Sequence, residues 1–332
     1  MPHLLSSPDK WRGTATAAGV AHAVERAAVR LGWTADVAPV ADGGEGFLDV
    51  LGGANRVAQV RDASGRYVKA GWRLQDGAAF IEMARASGLA LAGGPTSNDA
   101  LAADTAGTGE LVVAALDAGA RRVVVGLGGS ATTDGGLGCA EVLKDDPRIP
   151  GVDLVGACDV MVPFAAALDF APQKDASPAE TRLLEGRLER VAQRYESDLG
   201  VDVRRIPGAG AAGGLGGGLA ALGARLVPGI EVVAAALGLD ERLARADLVV
   251  TGEGLLDVHS FEGKAVGWVL DLALARDIPA LIVVVEAAAD AAARVTNAGA
   301  RLVSLVERYG PERSRSNTLD CIEAAIEDEL GP

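Results

Sequence analysis

The sequence predicts an α/β protein of two domains, one of them assembled from both ends of the chain. Three observations lead there. Plain alternation of β-branched runs and helical segments occupies the two ends, while a hairpin-bearing, less regular part lies between them. Several strand-like runs end in glycine turns that carry a carboxylate. The chain has 332 residues, length enough for two cores. The crossings are expected near residues 60 and 240, so that 1–60 and 240–332 form one α/β domain and 61–239 an inserted one.

In order, residues 13–30 read as an amphipathic helix, with Thr14 or Thr16 as cap and Gly32 as stop. Residues 36–40 read as a strand feeding a glycine–carboxylate turn. Residues 58–74 alternate as an antiparallel hairpin turning at Ser64–Gly65. A short strand over 78–83 contains Glu82, and Ser87–Gly88 follow. A helix over 108–117 leads into a strand over 122–127. Residues 152–158 form another strand, ending before Asp159. Residues 180–199 read as a charged helix with one solvated face. The Gly/Ala tract 208–223 opens a tightly packed helix. After Asp247 the plain alternation returns, with a fully apolar strand over 280–285, a weaker one over 302–306 and a terminal helix over 317–330.

Composition excludes several classes. Hydrophobic residues make up 49% and charged residues 23%, as in a soluble globular protein. A net charge of −14 argues against nucleic acid as the partner, since phosphate backbones select basic surfaces. No run is long and apolar enough to span a bilayer, and MPHLLSSPDKWRG lacks the apolar centre of a signal peptide. Cys139, Cys158 and Cys321 form no CxxC pair and read as reduced thiols of a cytoplasmic protein. The three histidines, His3, His22 and His259, are too scattered for a metal site.

The run VVVGLGGSATTDGG (123–136) carries the most chemical information. A strand enters a turn of glycines and small hydroxyl residues, whose N–H and O–H groups suit a phosphate. Asp134 inside that turn would repel a bare phosphate, so holding Mg²⁺ or taking a proton from a hydroxyl is the expected reason for it. APVADGGEGF (38–47) and DLVVTGEGLLD (247–257) repeat the design, the latter read as a strand, a glycine turn with Glu253, then Asp257. Ligands of open α/β sheets bind at such carboxyl ends. Two rival signatures fail. Gly208, Gly210 and Gly213 satisfy GxGxxG, but the preceding VDVRRIPG is charged and broken by Pro207. Gly263–Lys264 is followed by Ala265, so no P-loop is present.

Nine collinear strings together resemble the type I glycerate kinases: PDKWRGTATA (8–17), PVADGGEG (39–46), IEMARASGL (81–89), TAGTGEL (105–111), GLGGSATTDGG (126–136), ACDV (157–160), APQK (171–174), PGAGAAGGLGGGL (207–219) and TGEGLLDVHSFEGK (251–264). The resemblance covers most of the chain. It implies ATP- and Mg²⁺-dependent phosphorylation of D-glycerate, most relatives giving 2-phosphoglycerate. It also implies a flavodoxin-like domain from both termini, an inserted α/β domain, and an active site in the cleft between them. Transfer to the other hydroxyl, or to a related hydroxy acid, and a non-catalytic binding member stay open. The small-molecule substrate is the implied partner, without nucleic acid or membrane, and a homodimer is left open.

Mapped onto this chain, the catalytic candidates are Asp9, Lys10, Arg12, Asp134, Asp159 and Lys264. Arg12 suits the substrate carboxylate, because a guanidinium grips a carboxylate with two parallel bonds. Asp42, Gly43, Gly44, Glu45, Glu82, Ser87, Glu253 and Asp257 are candidates for the substrate. Gly107, Thr108, Gly128, Gly129, Ser130, Thr132 and Lys174 are candidates for the nucleotide, with Asp159 and Glu253 for the metal. The chain departs from the family pattern in places. Asp175 stands where glycine is usual, His259 where an amide is common, and Glu286–Ala289 where a glycine turn is usual.

Overall fold

The computed structural model describes all residues except Arg12, Glu262 and Pro332. Among the described residues eleven strands follow one another: β1 His3–Ser6, β2 Thr34–Val37, β3 Arg56–Arg61, β4 Tyr67–Gln75, β5 Ala78–Glu82, β6 Arg122–Leu127, β7 Asp153–Cys158, β8 Arg225–Pro228, β9 Leu248–Leu256, β10 Ala280–Ala287 and β11 Arg301–Ser304. The chain divides into two compact units, Met1–Ala41 with Val233–Pro332, and Asp42–Val232. The first crossing thus falls at residue 42 rather than near 60. The reason is that the glycine turn after Ala41 packs onto β6 and β7, and β3 pairs with β4 of the second unit's sheet.

The terminal unit is a wholly parallel sheet in the order β11-β10-β9-β1-β2. Counted by first appearance within the unit this is 5-4-3-1-2, the flavodoxin order, and it reverses between β1 and β9. The apolar run of β10 is buried from Ala280 to Val285, as a strand covered on both faces requires. Helix Ala17–Arg30 starts where Thr16 accepts a bond from the Gly19 N–H at 3.1 Å. Its Val20, Ala23, Val24 and Ala27 recur at helical spacing and pack with Leu4, Val250, Leu281 and Ile322.

The central unit is a mixed sheet in the order β3-β4-β5-β6-β7-β8, antiparallel from β3 to β5 and parallel from β5 to β8. The hairpin turns at Asp62–Arg66. The Asp62 carboxylate accepts from the Ser64 and Arg66 N–H groups and the Ser64 hydroxyl, and Gly65 supplies φ +84°. Because β4 runs against β5, this turn lies at the carboxyl end of the parallel strands.

Two readings of strand ends need correction. β2 ends at Val37, although Ala38 and Val40 still donate to Ser6 and Pro8 carbonyls. The TGEG segment is no turn. β9 runs through it to Leu256, because β10 pairs with it up to the Ala287–Leu256 position. A side chain on Gly252 would overlap the Val283 carbonyl, so the glycine there serves close strand approach. Glu286, where a glycine turn was expected, lies on this longer β10 and pairs with Arg315 at 3.1 Å.

Candidate active site

In the central unit three segments meet at the carboxyl ends of β6 and β7. A Cβ on Gly128 would stand within 3.0 Å of Asp159 Oδ2 and would overlap the Gly44 backbone. A Cβ on Gly43 would come within 2.5 Å of the Ala157 carbonyl oxygen. The bare backbones of the 42–46 turn and the 128–136 loop therefore lie against each other, with the Asp159 carboxylate beside them. This is where ligands of parallel sheets are held. Glu45 is exposed on this turn, and Asp42 folds back to accept from the Gly44 N–H at 3.3 Å.

The 128–136 loop is built from both sides. On one side Leu89 donates to the Gly129 carbonyl and Ala131 to the Ser87 carbonyl, both at 2.9 Å. On the other Gly135 donates to the Gly213 carbonyl at 3.0 Å, so the Gly/Ala tract acts as a packing support for the loop. The Lys174 amine, almost wholly buried, donates to Ser130 Oγ at 2.8 Å and to the Thr132 carbonyl at 2.6 Å. Burial pulls its pKa down to about 8, against the opposing pull of Asp134 and Asp159. The hydroxyls of Thr132 and Thr133 are buried with no hydrogen-bond partner among the described residues. A buried polar group left so costs about 1–3 kcal/mol, which a bound anion or water at the loop would offset. Asp175, at φ +70°, explains why glycine suits that position: the turn that delivers Lys174 is left-handed there.

The Asp134 carboxylate is engaged by donors of the protein itself. It is 5% exposed, and its two oxygens accept from Thr105 N–H (3.0 Å), Thr105 Oγ1 (2.7 Å), Gly136 N–H (3.1 Å) and Gly138 N–H (3.1 Å). Burial pushes the carboxyl pKa up, and the four donors counter it. The carboxylate fills the anion position at the starts of helices Ala106–Asp117 and Leu137–Leu143. It shapes the loop.

Four further candidates make contacts within the unit itself. A side chain on Gly107 would overlap the Arg61 carbonyl, so Gly107 lets its helix sit on β3. Thr108 and Ser87 are fully buried and bond each other at 3.0 Å. Glu82 is buried as well. It accepts from the Gly46 N–H at 2.9 Å and from Arg85 Nε at 2.7 Å, while Arg85 also reaches Asp49 at 3.2 Å. Glu82 and Arg85 thus fix the 42–46 turn. Sequence reasoning passed over Arg85 and Thr105, although both lie inside strings it had singled out.

The other candidates belong to the terminal unit, on the segment after β1 and on and after β9. Ser7 and Asp9 donate to the Val250 and Gly252 carbonyls, so the segment after β1 follows β9. Asp9 is buried and its carboxylate accepts from the Lys10 N–H at 2.7 Å. Glu253 stands on β9 opposite Val284. Asp257 accepts from the His259 and Ser260 N–H groups and so caps the turn Val258–Phe261. Lys264 is half-buried at the start of helix Ala265–Leu274. Arg12 lies outside the described residues. Among the described residues no group of three or more His, Cys, Asp or Glu could hold a metal ion by itself. No helix among them is long and apolar enough to cross a membrane.

Comparison with known proteins defines the class. The model of the glycerate kinase family matches residues 4–145 and 141–328. The chain is 39% identical over 305 residues to a glycerate kinase of Halalkalibacterium halodurans, covering 80% of each protein. It is 38% identical over 302 residues to the glycerate 2-kinase of Escherichia coli, covering 79% of each. A crystal structure from Salmonella typhimurium LT2, assigned by name as glycerate kinase 2, superposes with a TM-score of 0.83 at 31% identity. That match covers 99% of this chain and 97% of the other. The protein is a kinase, a phosphotransferase acting on an alcohol group of a small molecule with a nucleotide as co-substrate. It belongs to the glycerate kinase family.

Proposed function

We propose that the chain transfers the terminal phosphoryl group of ATP, with Mg²⁺, to the 2-hydroxyl of D-glycerate in the cytoplasm. The observation that carries this reading is the meeting of Gly44, Gly128 and Asp159 beside the Ser130–Lys174 loop. Phosphoryl transfer needs positioning and charge neutralisation rather than covalent help from the protein. Backbone donors of the loop, Ser130 and the Lys174 ammonium suit the nucleotide phosphates. Mg²⁺ takes one or two carboxylates and completes its shell with phosphate oxygens and water, and Asp159, beside the glycine loop, and Glu253, on β9, are each a candidate carboxylate for it. When bound it neutralises the phosphate charge. Arg12 and Lys10 suit the glycerate carboxylate, and Lys264 is a further cation for the transferred group. The cysteines, all buried and unpaired, fit a reducing compartment.

The test is ADP release from Mg-ATP and D-glycerate, followed by NMR of the product. The expected phosphorus signal is split by a single proton, as for phosphate on the secondary carbon. Coupling to the two methylene protons would assign the 3-hydroxyl instead. No ADP release would overturn the reading.

Lys174 makes this reading pH-dependent. Its ammonium is present at pH 7 and lost as pH rises through about 8. The KM for ATP is therefore expected to rise between about pH 7 and pH 9. A Lys174→Met variant should start with a high KM and show no such rise. Stability moves oppositely. The folded-state value lies below that of free lysine, so the folded protein releases the proton first. Its unfolding free energy should therefore rise, relative to Lys174→Met, from about pH 8 to about pH 10.5. Parallel pH profiles for the two proteins would remove Lys174 from the site.

A further inference from the structure

We propose that a cavity of about 650 Å³ in the central unit, between the hairpin turn and residues 91–103, receives the nucleoside of the phosphate donor. The inference rests on the kinase reading and adds a place for the part of the nucleotide that the glycine loop does not hold.

The position comes from topology. The hairpin turn Asp62–Arg66 lies at the carboxyl end of the parallel strands, and the 88–104 excursion leaves β5 at that same end. The glycine loop leaves β6 there too. Two bonds then join cavity and loop: Asn98, which lines the cavity, donates from Nδ2 to the Ala131 and Lys174 carbonyls, each at 3.0 Å. Apolar packing joins them again, since Ala63 and Ala103 of the cavity wall form one small core with Ala131, against which Ala92 packs. A ligand held at Ser130 and Lys174 thus has an adjoining cavity along the edge of the same sheet.

The lining suits a nucleoside. Half-buried Ala92, with the edges of the buried Ala63 and Ala103, gives the cavity an apolar side of small side chains on which a base could rest. Asn98 and the exposed Asp99 give the polar end, and a carboxylate in such a place takes ribose hydroxyls. The volume falls within the roughly 300–1,000 Å³ of small-molecule pockets. The wall has no aromatic side chain, so base selection rests on shape and edge contacts, and guanosine and adenosine donors should differ little.

Photolabelling with 8-azido-ATP and peptide mapping tests this directly. The expected label falls within residues 62–66 or 91–103 and is suppressed by excess ATP. Ala92→Trp, which fills the cavity, should raise the KM for ATP at least about tenfold and leave the KM for D-glycerate within about twofold. Ser97→Trp, at an exposed lining residue, is the second variant should the first fail to fold. Label elsewhere, or an unchanged KM for ATP in a folded variant, overturns the cavity assignment while leaving the kinase reading intact. Absence of ADP release by the wild-type protein overturns both.

Discussion

Replacing Asp134 with alanine is expected to lower folding stability by about 3–5 kcal/mol, the loss seen when a buried charge network is broken. The substitution strips the partner from Thr105 N–H, Thr105 Oγ1, Gly136 N–H and Gly138 N–H at once. Each buried donor so orphaned costs about 1–3 kcal/mol, and the four are coupled through one carboxylate, so the sum is not additive. Two helices begin at these donors, which makes the loss a loosening of both helix starts and of the loop before them. Asp134→Asn is also expected to destabilise, because Oδ2 alone faces three of the donors and an amide nitrogen there would meet N–H and O–H groups head-on. Urea unfolding of the three proteins checks this. A midpoint for Asp134→Ala within error of wild type would show that the carboxylate does not hold the loop. Turnover should fall in both variants as a consequence of loop disorder, with KM for ATP affected more than KM for D-glycerate.

Asp159→Asn is expected to behave in the opposite way, keeping the fold and losing the chemistry. The side chain is half-buried beside Gly128 and Gly44, at a strand end and outside the core clusters. The amide has the same shape, so the melting temperature should stay close to that of wild type. Turnover should drop about 10²–10³-fold, the usual effect of removing one group that stabilises developing charge. A Mg²⁺ titration separates the two roles open to it. If Asp159 holds the ion, part of the lost activity returns at high Mg²⁺. If it acts on the hydroxyl, the deficit persists at every concentration. Wild-type turnover in this variant would take Asp159 out of the machinery.

The surroundings of these two aspartates show where sequence reading reaches its limit. Asp134 lies in the glycine turn after β6, and Asp159 directly follows β7. From sequence, the glycine-rich loop of Asp134 reads as suiting a phosphate. In the folded protein that richness serves another purpose: it exposes N–H groups that point at Asp134 itself. The decisive partner, Thr105, lies 29 positions earlier, and no local pattern reveals that pairing. Glu82 repeats the lesson, since its partner Gly46 is 36 positions away. Gly107 and Ser87 likewise have neighbours that no local pattern reveals, Arg61 and Thr108.

What the sequence by itself determined was local or collinear. Hydrophobic periodicity placed the strand over 122–127 and the helices over 108–117, 180–199 and 317–330 to within a few residues, because side-chain spacing decides which face is buried. The hairpin turn was legible from Ser64–Gly65, since a left-handed position needs glycine. The ordered strings identified the family. Tertiary structure alone decided that β9 runs straight through TGEG, because pairing with β10 overrides the turn tendency of glycine. It also decided that the 42–46 turn lies on Gly128 and Asp159, and that Lys174 is buried against Ser130. These facts depend on backbone approach and desolvation between segments far apart in the chain, and neither quantity is written in the identity of neighbouring residues.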